Sequence, residues 1–105
     1  MLETMQITGT ERLVRAVLDH RLVRFRYHGQ ARTVEPQLLG LHEAGEPMLV
    51  GYQTAGGSNS GDLPGWRTFI TTAIEEVEVT DEPFAGARGE LSQAAHVMIE
   101  IFARA

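Results

Sequence analysis

A chain of 105 residues, 43% hydrophobic and 22% charged, has room for one modest core, which excludes global disorder and a second independently packed domain. The absence of cysteine excludes disulfide stapling, thiolate chemistry and cysteine-held metals. A formal net charge of −5 argues against a general nucleic-acid binder, which would be basic.

No apolar run approaches the roughly 20 residues a spanning helix needs, so no membrane partner is expected. The start MLETMQITGTERL has neither a basic n-region with an apolar stretch nor a cleavage signal, and a cytoplasmic location is the expectation. The charge is unevenly laid out: residues 1–35 carry six Arg against four acids, and residues 36–105 carry three Arg against ten. All nine basic residues are Arg, a choice that suits bidentate gripping of phosphate or carboxylate and that a GC-rich coding bias produces equally well.

In chain order, Thr10 followed by Leu13, Val14, Val17 and Leu18 predicts a short amphipathic helix over about residues 10–20, with Thr10 as its N-cap. Val23, Phe25 and Tyr27 alternate with Arg24 and Arg26, a strand with its apolar side chains inward and both Arg outward. Gly29 turns the chain into a second strand, roughly Arg32 to Leu41, where Pro36 lacks a ladder donor and marks an edge or a bulge. After HEAGEP, the segment around Met48, Val50 and Tyr52 is apolar on both sides and reads as a central strand.

The next twelve residues, TAGGSNSGDLPG, hold five Gly or Pro and cannot pack a core; long excursions of this kind are commonly functional or mobile. Strand periodicity resumes at Trp66, Thr68 and Ile70 and again at Ile74, Val77 and Val79 before the TDEPF stop. The C-terminal residues fit two patterns. Leu91, Ala95, Met98 and Phe102 suit a helix, Val97, Ile99 and Ile101 suit a strand, and the β-branched cluster at 97–101 favours the strand.

These elements predict a mainly β fold with a short N-terminal helix. The run VRFRYHGQARTVEP, a strand ending in LVGY, then WRTF and VEVTDEPF resembles the WYL domain over about residues 12–84. The longer stretch GYQTAGGSNSGDLPGWRTF followed by FAGAR is similar to short stand-alone bacterial forms of that domain without a DNA-binding helix-turn-helix. The resemblance implies a small Sm-like or SH3-like antiparallel barrel, a single domain spanning residues 1–105, with 85–105 as a C-terminal extension read as a strand.

Tyr27 falls at the family's first-strand tyrosine, Pro36 at its proline after the second turn, and Leu49 at the leucine of the naming triplet. The other triplet positions are Pro47 and Met48, so the aromatic pair is missing. Arg67 and Phe69 match the start of the family's arginine-rich strand motif, which the resemblance links to binding of a nucleotide or nucleic acid. Its later basic positions are Ile70 and Ala73, which cannot grip an anion.

No reaction is spelled out. GGSNSGD has a phosphate-loop composition, but Asp62 stands where that motif has lysine and Pro64 blocks an immediate helix. Nor is GSNSG a nucleophile elbow, since its centre is Asn59. His20, His28, His42 and His96 show no metal-ligand spacing, and no cofactor or metal is expected. The acidic run Glu75 to Glu82 reads as a solvated strand face.

Trp66 and Arg67, where the long excursion rejoins the sheet, are the candidates for contact with a ligand, with Arg24 and Arg26 joining them in an anion site if the strands are neighbours. Trp66 plugging one end of the fold, and the arginines paired with the acidic strand, are the plainer alternatives. The leading expectation is therefore a non-enzymatic ligand- or partner-binding regulatory module that self-associates. Its ligand would be a small anion or an oligonucleotide, with a protein partner also possible. The alternatives are a single-stranded nucleic-acid-binding protein and, last, a hydrolase built on Ser58 or Ser60 and nearby acids.

Overall fold

The computed structural model describes residues 9–58, 63–91 and 95–105. The chain is mainly β, with 59% of the described residues in strand. Helix α1 (Gly9–Asp19) leads into β1 (Arg21–Tyr27), β2 (Gln30–His42), β3 (Pro47–Gly56), β4 (Gly65–Ile70), β5 (Ile74–Pro83) and β6 (Met98–Arg104), with one turn of 3-10 helix, Thr71–Ala73, between β4 and β5. All pairings are antiparallel, in the order β4-β3-β2-β1-β5, and β6 pairs with β2.

The helix begins at Gly9, so Thr10 lies inside it rather than capping it. Leu13, Ala16 and Val17, spaced i, i+3 and i+4, bury one narrow stripe, while Leu18 turns away and is 58% exposed. Beneath the helix, Val23, Phe25 and Tyr27 of β1 join Val34, Leu39, Leu49 and Phe69 in the main core. The register Leu39↔Leu49↔Phe69 carries one core row straight across three strands. On the other face Leu38 and Val50 pair and, with Leu91, form a second and smaller cluster, so β3 is buried on both sides.

The sheet is not closed into a barrel: β4 and β5, the two ends of the order, form no ladder with each other. The long strand β2 explains the open arrangement. Its 13 residues pair with β3 along one edge, and along the other with β1 through Val34 and then with β6 from Leu38 onward. The register shifts between Pro36 and Leu38, at a proline that cannot donate to a ladder. Side chains instead link β4 to β1: the Ile70 amide donates to the Tyr27 hydroxyl (3.0 Å), and Phe69 packs edge-on against Phe25 and Tyr27 with centroids 5.0 and 4.9 Å apart.

Candidate ligand-binding site

Strand alternation decides which face each candidate occupies. Arg67 lies two residues before the core residue Phe69 and therefore points to the helix-side face, whereas its neighbour Trp66 points to the opposite one. Arg24 and Arg26 alternate with the core residues of β1 and are exposed on the face away from the helix. Register sets them opposite Glu78 and Glu75, but neither makes an ion pair among the described residues, and Arg26 donates to the Gly29 carbonyl (3.0 Å). Arg24 and Arg26 lie on the face away from the helix and Arg67 on the helix side, so they do not meet.

The residue that does lie near Arg67 is Arg32. In phase with Val34 on β2, it points into the core face and is only 5% exposed. One guanidinium nitrogen donates to the Tyr27 carbonyl (3.2 Å) and the Gln30 side-chain oxygen (3.3 Å), and another to the Gln53 side-chain oxygen at the outer limit of 3.5 Å. The group lies 5.4 and 5.7 Å from the ring centres of Tyr27 and Phe69. No carboxylate pairs with it among the described residues, and its buried Nε–H has no partner.

An interior cation without a counter-ion is costly. Burial lowers the Arg32 pKa, Tyr27 opposes that shift, and the nearby Arg67 cation adds to it. Arginine nevertheless stays protonated at neutral pH, so the positive charge persists. Arg67, half-buried, donates from Nε and Nη2 to the Ser58 hydroxyl oxygen (3.3 and 3.1 Å) and from Nη1 to the Trp66 carbonyl (2.8 Å).

The backbone around the pair is shaped for close approach. The Gln53 amide donates to the carbonyls of Ala55 (3.1 Å) and Gly57 (2.7 Å), holding the end of β3 as it bends away. Gly56 has φ +100 and a Cβ there would sit 2.2 Å from the Ala31 carbonyl oxygen, so no other residue fits. The result is a patch of two guanidinium groups, two side-chain amides, one hydroxyl and two aromatic rings.

The opposite face carries a second, differently built cluster. Glu35, Tyr52 and Trp66 stand in one cross-strand row. The segment after β5 lies over them: Arg88 grips Glu35 with two bonds (2.8 and 3.0 Å) and places its guanidinium carbon 3.6 Å from the Tyr52 ring centre. Trp66 packs edge-on to Tyr52 and donates from its indole nitrogen to Glu90 (3.3 Å). Its ring thus belongs to a covered face rather than to a plug at the end of the fold.

Sequence reasoning passed over Arg32 and Arg88. The sign of Arg32 was present, because a charge in phase with Val34 is a charge on a core face. Arg88 left no such sign, since its surroundings have no periodicity and its partners come from two distant strands.

The structure is thus a small antiparallel sheet under one helix, with Arg32 and Arg67 on its helix-side face. The family model described as the WYL domain matches residues 10–79, two thirds of the chain, and the protein belongs to that family. WYL domains are in general regulatory modules that bind ligands or nucleic acids. No match was found among curated proteins or among solved structures. Among the described residues no helix is long and apolar enough to cross a membrane, and no group of three or more His, Cys, Asp or Glu is placed to hold a metal ion.

Proposed function

We propose that this protein is a non-enzymatic, ligand-binding regulatory module of the WYL type, and that Arg32 and Arg67 together receive an anionic group. The observation that carries the reading is Arg32: a buried cation with an unpartnered Nε–H and, among the described residues, no carboxylate, on the same face as Arg67. A bound anion would neutralise the Arg32 charge with charge-assisted hydrogen bonds and supply the partner its Nε–H lacks.

The helix before the strands, the order β4-β3-β2-β1-β5 and the 3-10 turn between β4 and β5 support kinship with Sm-like and SH3-like folds, here in an open form. Self-association is part of the proposal, since among the described residues the outer edges of β4 and β5 have no strand partners. Single-stranded nucleic acid is the weaker reading because Trp66 and Arg67 point to opposite faces, so a strand stacked on one would not reach the other.

The test is a thermal-shift series with phosphate, nucleotides and short oligonucleotides on the wild type and on Arg67→Ala. Anions are expected to raise the wild-type Tm and to leave the variant unmoved. Equal shifts in both proteins, or none in either, would remove the proposed site. Larger shifts with oligonucleotides than with mononucleotides, falling steeply with salt, would favour the nucleic-acid reading.

A further inference from the structure

Residues 84–91 follow β5 and lie beyond the residues matched by the family model. They join no strand ladder among the described residues, and Ala85, Ala87, Gly89 and Glu90 are exposed. What holds them is a set of contacts resembling those by which a receptor reads a peptide. The side chain of Gln37, fully buried at 0% exposure, accepts a hydrogen bond from the Arg88 amide (3.1 Å) and donates to the Gly86 carbonyl (3.2 Å), engaging the backbone two residues apart.

Glu35 and Tyr52 read the side chain. The carboxylate meets the guanidinium fork edge-on through two bonds while the phenol ring covers its flat face, and only a planar, forked cation satisfies both at once. Gln37 also donates to Glu35 (3.2 Å), which fixes the carboxylate in place. Trp66 borders the segment by donating to Glu90, and Leu91, the last residue of the segment, is buried in one cluster with Leu38 and Val50. Arg88 keeps 39% of its side chain exposed, so it can leave without crossing the core, while Glu35 keeps 12%.

We propose that the groove formed by Glu35, Gln37, Tyr52 and Trp66 is a recognition site for an arginine-bearing peptide segment, that residues 84–91 fill it in cis, and that a segment of another protein chain presenting arginine in the same way can replace them. The buried Gln37 amide favours exchange over simple opening, because an empty groove would leave its polar atoms without partners. The covalently attached segment competes at an effective concentration in the millimolar range, which sets how strong an incoming segment must be.

The chain has one tryptophan, so Trp66 emission reports on the groove directly. The full chain carrying Arg88→Ala is titrated with the synthetic peptide FAGARGEL and with FAGAAGEL, which lacks the arginine. The variant is expected to bind the arginine peptide ~2- to 5-fold tighter than the alanine peptide, as the loss of one partly exposed forked ion pair predicts. It is also expected to bind the arginine peptide ~2- to 5-fold tighter than the wild type does, whose own segment competes more strongly. Equal affinity for both peptides, or no binding by the variant at several millimolar, would overturn the proposal. If circular dichroism shows Arg88→Ala unfolded, Arg88→Lys keeps the charge beside Glu35, loses the fork, and gives the same comparison.

Discussion

Arg32 and Arg88 are the same residue in opposite circumstances. Arg88 has a carboxylate, an aromatic face and solvent for what remains; its pKa is raised, chiefly by the Glu35 hydrogen bonds. Arg32 has amide and carbonyl oxygens, two ring faces and an orphaned donor in the interior, and its pKa is lowered, chiefly by burial. One arginine contributes to holding the molecule together, while the other is held in place by the molecule. A well-partnered charge accounts for itself as architecture, whereas the under-partnered one is what the proposed anion site rests on.

The largest expected effect comes from removing what the two regions share, the packing of the sheet. Phe69 lies against Phe25, Tyr27 and the Arg32 guanidinium, so Phe69→Ala is expected to cost about 3–5 kcal/mol in urea denaturation. A loss below about 1 kcal/mol would mean that the aromatic contacts bridging β1 and β4 do not hold the curl of the sheet. A smaller effect of opposite sign is expected at Arg32. Arg32→Met removes a buried cation and retains the volume, so stability should stay level or rise by about 1 kcal/mol while any anion-induced rise in Tm disappears. A marked fall in stability would make Arg32 a structural residue and erase the contrast with Arg88.

The smallest effect belongs to the visible ion pair. Because Arg88 is well exposed and its bridge is screened by solvent, Arg88→Ala should cost only about 0.5–1 kcal/mol, and the cost should shrink in high salt. Chevron or equilibrium unfolding at low and high ionic strength measures both. A cost above about 2 kcal/mol, insensitive to salt, would show that residues 84–91 are fixed by more than this contact.

Much of the sheet was legible in the sequence because alternation is local. Val23, Phe25 and Tyr27 state their face without reference to anything else, and Pro36 announces the irregularity it sits in. The same rule shows that Trp66 and Arg67, being adjacent in a strand, cannot serve one pocket. What alternation leaves out is register and partnership. Nothing near Glu35 says that Tyr52 and Trp66 will stand beside it, and nothing in β2 says that two strands will divide one of its edges. Barrel closure is a property of strand ends that are distant in the chain, and here the 13 residues of β2 and the late strand β6 decided it.

That division of β2 makes the final strand indispensable. Cutting the chain after β5 would keep every residue matched to the family and yet strip the rungs from Leu38 to His42, uncovering a flat apolar border with idle amides and carbonyls. Such a shortened protein would be sticky rather than minimal, and any extended stranger of suitable length would find a template waiting.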